Sequence, residues 1–104
     1  MKIKEKDGTV INVFSIYWFD EETYFYGLPK GYGGLLAYRA SEVSVIESEM
    51  DFKVMYFENN AKSIHHWALI KERLLDDILE RDEDAYKRFL EILKAEGLVD
   101  SDFY

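Results

Sequence analysis

A single change of period divides this chain. As far as Glu58, apolar residues come in short β-branched and aromatic runs separated by turn residues. From Ile64 they recur at helical spacing, and Asn59-Asn60 stands between the two regimes. Strands first and helices afterwards specify the α+β class, because a sheet with one apolar face is covered by helices gathered on it. The expectation is an antiparallel, five- or six-stranded meander over residues 1–58, followed by one or two amphipathic C-terminal helices packed on the sheet. A chain of 104 residues is large enough for a real core but not for a second domain, so residues 1–104 read as a single domain.

Within the strand region, Lys2–Lys6 alternates with Ile3 and Glu5, which suits an edge strand, and Asp7-Gly8 is a hairpin signal. Thr9–Phe19 is apolar on both faces: Val10, Phe14, Ile16 and Trp18 on one, Ile11, Val13, Tyr17 and Phe19 on the other. Such a strand belongs in mid-sheet, with helix on one side and aromatic cover or a partner on the other. Asp20-Glu21-Glu22 turns the chain into Thr23–Gly27. A glycine-rich loop with Tyr32 at its centre then leads to Leu35–Arg39. Ser48–Asp51 separates two further strand-type runs, Val43–Glu47 and Phe52–Glu58, which read as a second hairpin.

In the helical region Ile64, Trp67, Ala68, Ile70, Leu74, Leu75, Ile78 and Leu79 share one broad face, with Leu69 outside the stripe and Trp67 at its middle as an anchor. A second stripe runs from Ala85 to Leu98. One unbroken helix would be ~50 Å long, so a break near Arg81-Asp82 is expected, with Asp82 as N-cap and Gly97 as a C-terminal stop.

The chemistry available is limited. There is no Cys, which removes disulfides, thiolate metal sites and thiol nucleophiles and fits a cytoplasmic setting. Gly31-Tyr32-Gly33-Gly34 lacks the Gly-Lys-Ser/Thr of a phosphate loop and the third glycine of a dinucleotide fingerprint, so it reads as a turn of positive φ. His65-His66, taken as two helix-flank histidines, lacks the i, i+4 spacing of a metal pair. Neither a cofactor nor a metal is expected. The apolar run Val10–Phe19 after three lysines is too short to span a membrane, and it ends in Asp20-Glu21-Glu22 without a small-residue cleavage site.

The net charge of −8 is spread over both halves, which disfavours direct contact with nucleic acid and favours a basic partner. Aromatics beside acidic clusters describe a protein-binding face better than an active site. The expected role is therefore non-enzymatic protein binding by a small acidic inhibitor, of the immunity type, that neutralises a basic, nuclease-type toxin. The expected binding residues are Asp20, Glu21, Glu22 and Tyr32, with Asp76 and Asp77 on the exposed helix face as a second patch. The alternative is a small-ligand or regulatory domain with a pocket under the Tyr24–Tyr38 loop.

Overall fold

A computed structural model describes the whole chain, Met1–Tyr104. It is an α+β fold: an antiparallel sheet followed by C-terminal helices. The strands are β1 (Lys2–Lys4), β2 (Val10–Phe19), β3 (Glu22–Leu28), β4 (Leu36–Arg39), β5 (Ser44–Glu47), β6 (Val54–Glu58) and β7 (Lys62–His66). The helices are α1 (Trp67–Lys71), α2 (Leu75–Leu79) and α3 (Glu83–Ala95). No helix is long and apolar enough to cross a membrane.

Everything is hung on β2. On one side it pairs with β3 along most of its length, and β3 carries β4 beyond it. Its other side is shared. Residues 10–12 pair with β1, whereas residues 15–18 pair with β7. Phe14 sits at the junction as a β-bulge, unmatched on β3 because Val13 faces Gly27 and Ser15 already faces Tyr26. The extra residue reverses the facing of everything after it. Ile11, Val13 and Ile16 therefore share one face, while Phe14 joins the helix side. The alternation read from sequence, with Phe14 beside Ile16, fails at this point.

Three other expectations are corrected. Strands do not stop at Glu58, since β7 follows Asn59-Asn60 and pairs with both β2 and β6. Its register buries Ser63, His65 and His66, polar residues that carry no period-2 apolar signal. The runs around Ser48–Asp51 form no hairpin, because β5 pairs with β1 and β6 with β7. Consequently β1 is an interior strand: Ile3 is fully buried and Lys2 lies 3.8 Å from Glu47 on β5.

The helical region is three segments, where one or two helices were expected. Each ends in a Schellman closure. Leu74 N–H bonds the Leu69 carbonyl (3.1 Å), Asp82 the Asp77 carbonyl (2.9 Å) and Leu98 the Leu93 carbonyl (2.9 Å). The left-handed residue is Gly97 only in the last; in the first two it is Arg73 (φ 56°) and Arg81 (φ 61°). The break at Arg73 re-phases the chain, so Leu69 is buried. Asp82 caps α3 as expected, accepting from Ala85 N–H at 2.9 Å. The molecule measures 33 × 33 × 24 Å, and an unbroken helix would overrun it.

Two cores result. Phe14, Leu28 and Leu35 pack with Leu69, Ile78, Tyr86, Phe89 and Leu93 under the helices. On the opposite face Ile3, Ile11, Val13, Phe25 and Tyr38 form a smaller cluster, against which Ala40 and Val43 pack from the β4–β5 connection. Gly27 makes that second core possible, since a Cβ there would collide with Ile11 and the Tyr38 ring. Further along the same face, nothing covers Trp18 or Tyr56.

Candidate functional site

The β2–β3 hairpin closes through Asp20 and Glu21, with Phe19 and Glu22 as the last pair. Both turn residues have positive φ, 50° and 67°, the conformation a two-residue loop needs to follow the twist of its strands. Asn-Gly normally supplies it, and placing Glu there costs conformational energy. The turn therefore carries two carboxylates where the local geometry favours glycine.

Just behind the tip the strand is apolar and uncovered: Trp18 is 43% and Phe19 48% exposed. The β7 ladder ends at the Trp18–Lys62 pair, which places the Asn59-Asn60 turn alongside the Asp20-Glu21 turn. Between the two tips runs a groove of about 290 Å³, lined by Trp18, Phe19 and Asp20 on one side and by residues from Glu58 to Lys62 on the other. Tyr56 and Phe57, 58% and 47% exposed, continue the aromatic surface along β6.

On the helix side of the sheet the same hairpin carries a row of tyrosines. Tyr17 stacks on Tyr24 with centroids 4.9 Å apart and leans on Tyr26 at 4.8 Å. The Tyr24 hydroxyl donates to Glu22 at 2.5 Å, a bond that raises its pKa by opposing a second negative charge. Burial, then the bond to Tyr17, and finally the charges of Tyr17 and Asp76 raise that of Tyr26. The row thus runs from Glu22 at the turn to the neighbourhood of Asp76 on α2.

The expected binding residues fall in separate places. Asp20, Glu21 and Glu22 form one tip. Asp76 and Asp77 occupy the exposed first turn of α2, with Asp76 connected to that tip through the tyrosines. Tyr32 lies at the other end of β3, about 20 Å away along the strand. It is also engaged: the Arg81 guanidinium lies 4.7 Å from its ring centroid, and Arg81 Nε donates to its carbonyl at 3.0 Å. Sequence reasoning missed Trp18, Phe19, Tyr56 and Phe57 as surface residues. For Trp18 and Phe19 a signal was present in the acidic triplet that directly follows them, which marks a strand end that cannot be core on both faces.

The loop between Tyr24 and Tyr38 is packed down. Leu28 and Leu35 lie in the helix-side core, and a Cβ on Gly34 would strike the Ile78 carbonyl. Two open concavities border this stretch: one of about 530 Å³ where Tyr38 and Arg39 face Glu5, Lys6, Asp7 and Glu42, and one of about 320 Å³ where Leu28 and Lys30 meet Val99 and Phe103.

The histidines are buried in β7, contrary to the helix-flank reading. The two rings enter different networks: His65 lies opposite Ser15 within the sheet, whereas His66, where the strand turns into α1, packs on Phe14 and Phe89. Ser63 Oγ donates to the Phe57 carbonyl (3.2 Å) and therefore accepts from His65 Nε2–H (2.9 Å). His65 Nδ1 in turn accepts from Ser15 Oγ (2.7 Å). This fixes a neutral ring, and burial drives its pKa down to about 4. His66 Nδ1 accepts from Ala68 N–H (3.1 Å) as the N-cap of α1, leaving Nε2–H to donate to Glu96 (2.6 Å). The other Glu96 oxygen accepts from the Trp67 indole (2.8 Å), so partly exposed Trp67 is an anchor through its N–H as well as its ring. Ser15 and Ser63 resemble nucleophiles beside a base, yet all three residues are at least 94% buried and present no face to a substrate.

No family model, curated protein or solved structure matches the chain.

Proposed function

We propose that this protein is a non-enzymatic binding module, a small acidic inhibitor of the immunity type that grips a basic protein partner such as a nuclease-type toxin. One observation carries the reading: Trp18 and Phe19 stand exposed directly behind a turn that holds Asp20, Glu21 and Glu22 out to solvent. Large aromatics supply anchor area, and a rim of carboxylates steers and orients a cationic surface. The net charge of −8 extends that attraction beyond contact distance. Asp76 and Asp77 widen the acidic rim on the helix side. Tyr32 supports the fold against Arg81 and has a smaller share in binding.

The test begins with the basic partner purified from the native cell on the immobilised protein. Glu21→Lys with Glu22→Lys slows its association at least about tenfold. Trp18→Ala chiefly speeds dissociation, costing about 2 kcal/mol or more of affinity. Asp76→Lys with Asp77→Lys has the weaker effect. A partner that proves acidic, or an affinity indifferent to all three variants, sinks the proposal.

A further inference from the structure

The edge of β6 completes this site, and we infer that it accepts an extended, basic segment of the partner as an added strand. The inference rests on the protein-binding reading above and specifies its mode. β6 pairs only with β7, so one side of its backbone faces solvent. Which groups face outward follows from the register. Trp67 N–H bonds the Lys53 carbonyl, and Asn59 N–H bonds the Ala61 carbonyl. Antiparallel bonding alternates, so the odd residues Lys53, Met55, Phe57 and Asn59 turn inward. Val54, Tyr56 and Glu58 turn their N–H and C=O outward.

Open edges are usually blunted by charge, proline or a bulge. β6 has no proline and no register shift, and Val54–Phe57 carries no charge. Val54, Tyr56 and Phe57 are 39%, 58% and 47% exposed, offering side-chain contacts on both faces of an incoming strand. The other free edges, β4 and β5, end in charge as β6 does, at Arg39 and Glu47, but are one residue shorter and leave only three uncharged residues each.

Charge selects the occupant. At its Asn59-Asn60 end β6 carries Glu58, and the Asp20, Glu21 and Glu22 carboxylates at the same end of the sheet, across β7, add their field to it. Lys62 is the cation paired across from Glu58, and Arg39 lies 3.9 Å from Glu22. At the other end, Lys53 follows Glu49 and Asp51. A second copy of the chain is the poorer fit. Outward residues are even-numbered and pair only with one another, so Lys53 of one copy cannot sit opposite Glu58 of the next, and two molecules of charge −8 repel. A lysine or arginine on the incoming strand can lay its stem against exposed Tyr56 and set its cation beside Glu58, the last outward residue of the edge.

The experiment is amide hydrogen exchange by NMR on the full chain, titrated with a synthetic peptide of alternating lysine and valine. The expected result is new protection at the amides of Val54, Tyr56 and Glu58, and none with a glutamate-for-lysine peptide. Tyr56→Pro removes an N–H that β7 does not use, so the fold survives, while peptide affinity falls roughly tenfold below that of Tyr56→Val. If the proline variant does not fold, the exchange pattern in the parent chain decides alone. Peptide binding without protection of those three amides overturns strand addition while leaving a basic partner in place. Equal binding of the acidic peptide overturns both readings. Protection that appears with protein concentration alone, with a doubled mass, assigns the edge to a second copy and overturns the proposal, as does no protection at millimolar peptide.

Discussion

Single residues carry opposed demands in this chain. Glu21 occupies a left-handed position that glycine would take without strain. Glu21→Gly is therefore expected to raise stability by about 1 kcal/mol in urea unfolding, and to slow association with a basic partner through the lost carboxylate. A variant that loses stability would show that the Glu21 side chain supports the turn. His65 makes stability depend on pH. Its ring titrates near 6.5 when unfolded and at about 4 in the fold, where burial favours the neutral form. Between those values the unfolded chain binds a proton that the folded chain refuses. The stabilisation is thus complete above pH 6.5 and is lost as the pH falls through the window, by about 3 kcal/mol in total. Denaturation of His65→Gln at neutral pH and near pH 4 should give a smaller difference than the parent chain by about that amount.

Among the elements, the helical segments show what the sequence could and could not convey. Asp82 and Gly97 announced the ends of α3 through ordinary capping chemistry, and both were legible. Arg73 and Arg81 end α1 and α2 in the same closure without the glycine that would have marked it. Their replacement separates strain from contact. Arg73→Gly is expected to stabilise by about 1 kcal/mol, whereas Arg81→Gly gains nothing net because it forfeits the stack on Tyr32 and the bond to its carbonyl. Equal melting-temperature gains in both would discount the Tyr32 contact. β7 was illegible for another reason: Ser63, His65 and His66 are buried by hydrogen bonds to Ser15, Phe57 and Glu96, and those partners are 6 to 50 residues away. The Phe14 bulge likewise leaves no local trace, since it is set by the register between β2 and β3. The candidate binding tip was half legible. Its carboxylates were plain in sequence, but the exposure of Trp18 and Phe19 depends on where β7 stops.

Across the whole molecule, acidity is the property that reaches furthest. A net charge of −8 makes encounter with a cationic protein sensitive to ionic strength. Stopped-flow association with the proposed basic partner should slow at least about tenfold between roughly 0.05 and 0.5 M salt, with dissociation changing far less. A rate insensitive to salt would leave the carboxylates without a steering role. The branching of β2 has a consequence of a different kind, in time. The hairpins β1–β2, β2–β3 and β6–β7 each form from neighbouring sequence, but the junction between Ser15 and His65 must close a loop of about fifty residues before its hydrogen bonds return any energy. Contacts so distant in sequence form slowly. The half-built state presents both the bare flank of β2 and the apolar strand β6, so the interval before β7 docks is when this protein is most exposed to aggregation, and dilution during refolding should raise the yield.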